Sequence, residues 1–477
     1  MKKKQVVITI LLSVTLTVII AICTTAVVLF NKDKAAEAKA PVTPTKSTLQ
    51  PKPTVSAPMF ILNPSLEPEP TEIPIVSLTK PPVPTIVPTQ THTQTSTYSP
   101  TPTEKWTPYP TIAPIPEHTI KPTEQPLKEL ENVDFSKKTI NVSAMGGQYK
   151  TQGRTPMKNG VVYLNYSASA FSFNAYCEGT VTMELSTQRN WSGDGMYINV
   201  IVDGVKVSPR NVYKLKGNKQ HTITLATNLK KGLHTFTIEK QSEATFGLIQ
   251  VKAVSLNGEI APAPLNNDLF IEFIGDSLIC GYGVLYPNHS EGEYSSNQAS
   301  TVYQDATKAF AYLTAKKMNA DYSIVSETGI GMSYSSYTKR KMTDIYTKTC
   351  AQTNDNTEWN FPRRTDAVVI TLGTNDSAMV GKGFITKTQM REGFKNFALQ
   401  VRAKNPSAKI IWAYGALGYG AKDSIISVLN ELGGEANGYY YVNLEYNGDG
   451  GGGHPSLQAN AKNAETLTKA LQGILCG

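Results

Sequence analysis

Apolar and polar residues alternate one by one through the middle of the chain, as in the segment GTVTMELST. This period-two pattern is typical of strands with one buried face, and its repetition in short runs indicates antiparallel pairing. In YINVIVDGVKV, Asp203 and Gly204 stand between two apolar runs, which is a strong signal for a tight hairpin. The pattern therefore predicts an all-β sandwich over residues 132–264.

From residue 265 onwards, short continuous apolar runs alternate with stretches of helical periodicity. This alternation indicates a parallel sheet covered on both faces, and hence a three-layer α/β domain over residues 265–477. The predicted strands are LFIEFI, YSIVS, AVVITL, KIIWAY and YYYVNL. Two buried helical faces are also predicted, formed by Met390, Phe394, Phe397 and Val401 and by Leu457, Ala461, Ala464, Leu467, Leu471 and Ile474.

The N-terminal segment has three lysines followed by an apolar run from Val6 to Phe30. As a helix rising about 1.5 Å per residue, this run exceeds the roughly 30 Å hydrocarbon core of a bilayer. We therefore expect residues 1–34 to form a cytoplasmic tip and a single membrane anchor. The lysines favour the cytoplasmic side, which leaves the later residues outside the cell. Signal cleavage near Ala36-Glu37-Ala38, giving a secreted protein, and lipidation of Cys23 are the alternatives.

A tract rich in proline and threonine follows the apolar run. Of the 29 prolines in the chain, 21 lie between Pro41 and Leu130. A segment of this composition buries too little apolar surface to offset the entropy of folding. We expect residues 35–131 to form a disordered linker.

Charge and cysteine content exclude several classes of function. The formal net charge is +8, but no basic run is interleaved with aromatic residues, so the sequence does not indicate a nucleic-acid groove. No cluster of residues has the spacing of a zinc site, and we expect neither a metal nor another cofactor. The five cysteines do not indicate a disulfide framework; they are Cys23, Cys177, Cys280, Cys350 and Cys476.

Four predicted strands are each followed by a residue that can take part in catalysis. Ser277 follows the first strand, Gly329 the second, Asn375 the third and His454 the last. In parallel sheets, ligands bind beyond the carboxyl ends of the strands. We therefore expect a hydroxyl, a backbone amide, a side-chain amide and an imidazole to meet on one rim of the sheet.

These groups suit the steps of acyl transfer. A serine hydroxyl needs a base to take its proton, and the imidazole of His454 suits this role. The backbone amides of Ser277 and Gly329 and the side-chain nitrogen of Asn375 would stabilise the oxyanion. Taken singly, Ser277 fits a turn, Asn375 a helix cap and His454 a helix neighbour, and His289 is an alternative base. The conjunction at four strand ends favours the catalytic interpretation.

The motifs GDSL, GTND and GHPS and the Gly329 block resemble, in this order, the four blocks of the SGNH (GDSL-type) hydrolases. The Gly-x-Ser-x-Gly elbow of other α/β-hydrolases is absent. The segments GRT, at residues 153–155, and KGLHTFTIEKQSEATFG resemble the N-terminal jelly-roll domain of carbohydrate esterase family 2. Members of that family join this domain directly to an SGNH domain. The resemblance covers residues 132–477 and implies a jelly-roll sandwich followed by an SGNH-type esterase domain.

The sequence departs from the family pattern at one position. SGNH enzymes usually have an aspartate three residues before the histidine, where this chain has Gly451. The nearest carboxylate belongs to Asp449, which is a candidate third member of a triad. Some members of carbohydrate esterase family 2 use a Ser-His dyad oriented by a backbone carbonyl, and both arrangements stay open. The resemblance further implies aromatic sugar contacts near the cleft, for which Tyr419 is a candidate, while Trp412 fits the core.

The sequence thus predicts an extracellular, membrane-anchored serine esterase. By the resemblance, its substrates are O-acetyl groups on plant-wall polysaccharides such as acetylated xylan or glucomannan. A carbohydrate-binding surface protein with an inert hydrolase domain is one alternative. An esterase acting on peptidoglycan or on lipid esters is another.

Overall fold

The computed structural model describes residues 128–189, 195–207, 213–286, 301–336, 340–351 and 357–476. The predicted anchor and almost all of the predicted linker lie outside these residues, as does His289. Within the described ranges, no helix combines the length and the apolar character needed to cross a membrane.

The antiparallel sheet predicted for the first part of this region is confirmed. The three longest strands, β5, β9 and β10, lie side by side and are interrupted by register shifts at bulges. The hairpin at Asp203 and Gly204 is present, and both residues have positive φ, as a tight two-residue turn requires. The strands are β1 Lys137–Asn141, β2 Lys150–Gln152, β3 Met157–Lys158, β4 Val161–Leu164, β5 Ala170–Arg189, β6 Met196–Val202, β7 Val205–Lys206, β8 Lys214–Leu215, β9 Gln220–Lys240 and β10 Gly247–Ile260.

The predicted parallel sheet is also confirmed, and all five predicted segments form its strands in the order β12-β11-β13-β14-β15. Its strands are β11 Phe270–Gly275, β12 Asp321–Ser326, β13 Ala367–Ile370, β14 Lys409–Tyr414 and β15 Tyr439–Asn443. The helices in the described ranges are α1 Ser277–Cys280, α2 Phe310–Lys317, α3 Met342–Ile345, α4 Thr374–Gly381, α5 Lys387–Lys404, α6 Lys422–Glu431 and α7 Leu457–Cys476.

Helices cover both faces of the parallel sheet. On one face, α5 and α6 pack around Trp412, which is fully buried as expected. On the other face, α2 and α7 pack against Phe273 and its neighbours. The predicted apolar face of α5 is buried throughout. Alternate residues of each strand enter the two cores, which is why the strands read as continuous apolar runs.

The predicted face of α7 is wrong at its N-terminal end. Leu457 and Ala461 are exposed, whereas Asn460 and Asn463 are buried. Asn460 Oδ1 accepts the backbone amide of Phe310 (3.0 Å), and Asn463 exchanges two hydrogen bonds with the backbone of Glu445. Buried asparagines are tolerated when their polar atoms are satisfied in this way, and an apolar pattern does not reveal them.

The antiparallel part contacts the α/β part through a buried arginine. Arg154 follows β2 and is fully buried, and its Nη2 donates to Glu272 Oε1 on β11 (2.9 Å). Its Nη1 donates to the backbone carbonyls of Tyr346 and Lys348. The guanidinium also lies over the rings of Tyr346 and Phe361. The GRT motif therefore supplies an arginine that joins the antiparallel part to the α/β part.

Candidate active site

Ser277 is the first residue of α1 and stands directly beyond the end of β11. Asp276 caps this short helix, because its carboxyl oxygen accepts the backbone amide of Leu278 (3.1 Å). At Gly275 a Cβ would lie only 2.1 Å from Thr371 Oγ1, so only glycine fits the close packing at the end of the strand. The Gly-Asp pair thus makes the sharp turn that presents the serine at the sheet rim.

His454 contacts the serine hydroxyl directly. Its Nε2 lies 2.8 Å from Ser277 Oγ, and its Nδ1 lies 3.0 Å from the carbonyl oxygen of Gly452. A carbonyl can only accept a hydrogen bond, so Nδ1 carries the proton. The free lone pair is then on Nε2, facing the hydroxyl. The backbone of the glycine segment therefore selects the tautomer that a base needs.

Burial keeps this imidazole neutral. It lowers the pKa of His454 to about 4, because the charged form is poorly solvated there, while the Gly452 carbonyl acts in the opposite direction. The ring of Tyr282 packs beside the imidazole, with 4.6 Å between the ring centroids. At neutral pH the ring is therefore unprotonated and ready to accept a proton.

Asp449 does not reach the imidazole. Its Oδ1 accepts the backbone amide of Ser456, just before α7, at 3.1 Å. No hydrogen bond or ion pair joins it to His454 in the described part of the chain. Position 451, where an aspartate would stand in a triad, has no room for a side chain, because a Cβ there would lie 2.7 Å from the Cβ of Tyr286. The geometry accordingly has a backbone carbonyl where a triad has a carboxylate.

The backbone amides of Ser277 and Gly329 are two of the oxyanion donors that the sequence predicts. In the described residues, neither the amide of Ser277 nor that of Gly329 has a hydrogen-bond partner within the chain. The first belongs to the N-terminus of a helix, where amides lack intrahelical acceptors. Gly329 has a φ of 78°, a conformation that few other residues adopt. These amides are of the kind that binds an oxyanion.

Asn375 lies next to the same turn but is already hydrogen-bonded. Its Nδ2 donates to Asp276 Oδ2 (3.1 Å) and to the carbonyl oxygen of Ile330 (3.0 Å). Ser336 connects Asn375 to Gly329, because its hydroxyl donates to Asn375 Oδ1 and its amide donates to the Gly329 carbonyl. The side chain is thus at the predicted place, and it would have to release one acceptor to donate to an oxyanion.

Sequence reasoning missed the role of the buried carboxyl groups around this turn. Asp376 accepts the backbone amides of Met332, Ser333 and Tyr334 and so fixes the loop after Gly329. Burial raises the pKa of Asp376. Burial also raises the pKa of Asp276 to about 7, and the nearby charge of Asp376 adds to this effect. The position of Asp376 in the GTND motif was the available signal.

Of the two aromatic residues considered as sugar contacts, Tyr419 is exposed and Trp412 is buried, as expected. Tyr419 is 43% exposed, and its hydroxyl donates to the carbonyl of Leu444 (3.0 Å). The amide of Tyr446, whose side chain is also exposed, donates to the same hydroxyl. Tyr419 therefore contacts the segment that leads from β15 to His454, and Tyr446 lies within that segment. Trp412 instead donates to the Leu372 carbonyl inside the core.

A serine at a strand-end turn, a neutral histidine on its hydroxyl and two unpaired amides supply a nucleophile, a base and candidate oxyanion donors. Several known proteins resemble this chain. The family model Carbohydrate esterase 2 N-terminal matches residues 151–264. The chain is 28% identical over 325 residues, or 65% of its length, to the Cellulase/esterase CelE of Acetivibrio thermocellus. The chain is thus similar to carbohydrate esterases of family 2.

The match with CelE is partial, since it spans 37% of the length of that protein. Two solved structures resemble the fold. A family two carbohydrate esterase from Clostridium thermocellum in complex with cellohexaose has a TM-score of 0.61 at 24% identity, with 69% of this chain and 99% of the other covered. The acetyl xylan esterase Est2A from the rumen bacterium Butyrivibrio proteoclasticus has a TM-score of 0.63 at 20% identity, with 71% and 99% covered. At these identities the likeness shows the fold.

Proposed function

We propose that the chain is a serine esterase that removes O-acetyl groups from polysaccharides. The observation that carries this proposal is the 2.8 Å contact between Ser277 Oγ and His454 Nε2, with Nδ1 held by the Gly452 carbonyl. The two unpaired amides of Ser277 and Gly329 support it, because an acyl-transfer site needs donors for the developing oxyanion.

In the proposed mechanism, Ser277 Oγ attacks the acetyl carbonyl carbon while His454 Nε2 takes the hydroxyl proton. The amides of Ser277 and Gly329 would stabilise the negative oxygen. The carbon–oxygen bond to the sugar then breaks, and the sugar oxygen receives the proton from His454. Water, activated by the same imidazole, attacks the acetyl-serine, releases acetate and restores the hydroxyl.

The substrate class is proposed from the relatives. One is named an acetyl xylan esterase, and another was solved with cellohexaose. We infer that this chain acts on acetylated xylan or glucomannan, with the exposed rings of Tyr419 and Tyr446 as sugar contacts. We also propose that residues 132–264 form a jelly-roll sandwich and residues 265–477 the esterase domain. Peptidoglycan and lipid esters are the substrates to be tested against this choice.

We further propose that the catalytic part is extracellular and tethered to the membrane by residues 1–34. The apolar run from Val6 to Phe30 and the three preceding lysines support this placement. Residues 35–131, if extended as polyproline at about 3.1 Å per residue, would reach roughly 300 Å. Recovery of a soluble protein that begins near Lys39 would show that the anchor is cleaved instead.

The decisive experiment is acetate release from acetylated xylan, acetylated glucomannan and acetylated peptidoglycan, with Ser277→Ala as the matched variant. We expect release from the plant polysaccharides by the wild type and almost none by Ser277→Ala, which should still fold because one hydroxyl contributes little packing. Undiminished release by Ser277→Ala would contradict the mechanism. Binding of the glycans without release by the wild type would indicate the carbohydrate-binding alternative.

A further inference from the structure

A buried carboxyl group from the antiparallel part lies behind the candidate active site. Glu243 stands between β9 and β10, in the segment KGLHTFTIEKQSEATFG, and only 2% of its surface is exposed. Its carboxyl oxygens contact the two loops that carry the unpaired amides.

The first of these loops follows β12. Glu243 Oε2 accepts the backbone amide of Thr328 at 2.6 Å, and Glu243 Oε1 accepts the Thr328 hydroxyl at 2.7 Å. Thr328 immediately precedes Gly329. The paired bonds hold Thr328 by two of its donors. Because the Gly329 amide belongs to the next peptide, they restrict its position through Thr328.

The second loop is the turn that carries the serine. The thiol of Cys280, in α1, lies 3.5 Å from Glu243 Oε2. The same thiol lies 3.2 Å from Ser326 Oγ, at the end of β12. One carboxyl group thus contacts both the helix that begins with Ser277 and the loop that presents Gly329.

Glu243 is itself held rigidly. Gln304 pairs with it twice, because Gln304 Nε2 donates to Glu243 Oε1 (2.9 Å) and Gln304 Oε1 accepts the Glu243 backbone amide (3.0 Å). Lys240, which is fully buried, donates from Nζ to the carbonyl oxygens of Ser242 (2.6 Å) and Glu243 (2.9 Å). A carboxyl group fixed on this many sides can impose its geometry on the start of the loop at Thr328, while Asp376 holds the later part of the same loop.

We propose that Glu243 is a positioning residue that holds the amides of Ser277 and Gly329 in the geometry an oxyanion requires. The antiparallel part would therefore complete the esterase site from behind. This inference rests on the proposed esterase function. Its physical basis is that oxyanion donors are effective only when they are already aimed at the developing charge.

The test is Glu243→Gln, with Glu239→Gln as the matched control. Glutamine keeps the shape of Glu243 but replaces one acceptor by an NH₂ group, which opposes one of the donors of Thr328 or Gln304. Glu239 is buried to the same degree (3% exposed) and also bonds across to the α/β part, through the hydroxyl of Tyr312 (2.7 Å). It contacts neither loop, so it reports what losing a buried carboxyl does to the fold alone.

We expect Glu243→Gln to lower kcat for a soluble acetyl ester about 10- to 100-fold, since losing one whole oxyanion donor costs roughly 10²–10³. KM should change less than about twofold, because ground-state binding does not use these amides. Glu239→Gln should keep kcat within about twofold. Equal losses of kcat in the two variants, or no loss in either, would overturn the proposal.

A second measurement does not depend on activity. Hydrogen–deuterium exchange of the peptide that contains Thr328 and Gly329 should be faster in Glu243→Gln than in the wild type and unchanged in Glu239→Gln. If the wild type hydrolyses no acetyl ester, the proposed function fails, and unchanged exchange in Glu243→Gln would then overturn the positioning role as well. If Glu243→Gln does not fold, Thr328→Val and Thr328→Ser decide, because only serine restores the hydroxyl bond and should restore kcat.

Discussion

Replacing Asp449 with asparagine should leave most of the ester hydrolysis intact. The carboxyl group of Asp449 accepts the amide of Ser456, while His454 Nδ1 is held by the carbonyl of Gly452. The side-chain oxygen of asparagine can accept the same bond from Ser456, so the turn before α7 should keep its shape. We therefore expect a small loss for Asp449→Asn and a slightly larger one for Asp449→Ala.

The size of the loss follows from what the carboxyl group does. An aspartate that orients the histidine of a full triad is worth roughly 10⁴ in kcat. A side-chain acceptor at the start of a helix is worth about 0.5–2 kcal/mol of stability, and alanine would lose it. If all of an intermediate value, about 1.4 kcal/mol, reached the transition state, the rate would fall about tenfold. A loss of about tenfold or less is thus the expected result for Asp449→Ala if Gly452 alone orients the imidazole.

The assay is the initial rate of acetyl-ester hydrolysis between pH 5 and 9 for the wild type, Asp449→Asn, Asp449→Ala and His454→Ala. His454→Ala should remove nearly all activity, because no other base contacts Ser277 Oγ in the described residues. Thermal unfolding of each variant separates a loss of fold from a loss of catalysis. A loss for Asp449→Ala as deep as that for His454→Ala would refute the dyad and make Asp449 the third member of a triad.

Two further predictions test the electrostatics. The kcat/KM of the wild type should rise as the pH is raised through about 4 and then level off, because only the neutral form of His454 accepts a proton and burial lowers its pKa to about 4; an acid limb centred near 6.5 would contradict this. Arg154→Met should lower the free energy of unfolding by about 3–5 kcal/mol, because Glu272 would stay buried without its cation. Urea unfolding measures this free energy. Lys395→Met is the control, because it breaks an exposed pair with Glu431 and should cost far less. Similar losses of stability in the two variants would contradict the reasoning.

Local patterns were sufficient to predict the sheets and the strand ends at which the candidate site lies. Each strand is specified by residues next to one another, and Ser277, Gly329, Asn375 and His454 each directly follow a strand or its loop. Because the carboxyl ends of parallel strands share one edge, their meeting needed no knowledge of tertiary contacts. The hydrogen-bond partner of His454 Nδ1 could not be predicted in this way. Whether it is the Gly452 carbonyl or a carboxylate depends on the course of the glycine-rich loop.

What the sequence could not predict depends on contacts between distant residues. Glu243 bonds Thr328 across 85 positions, and Arg154 bonds Glu272 across 118. No periodicity links such pairs, and a buried glutamate or arginine contradicts the general preference of these residues for the surface. The same reason explains the error in α7, where Asn460 is buried because it caps another helix.

A dyad oriented by a carbonyl places a larger demand on the rest of the site. A neutral carbonyl fixes the tautomer of His454 but stabilises the imidazolium less than a carboxylate would. Burial adds to this demand, because it lowers the pKa of His454 to about 4, and a ring that is hard to protonate is a weak base towards Ser277. In the proposed mechanism, the tetrahedral intermediate forms together with a positive imidazolium and a negative oxyanion. Its stability then depends chiefly on the oxyanion, which the amides of Ser277 and Gly329 would stabilise. This dependence gives a physical reason for a rigid support such as Glu243 behind those amides. It also predicts that Glu243→Gln should cost more in kcat than Asp449→Ala does.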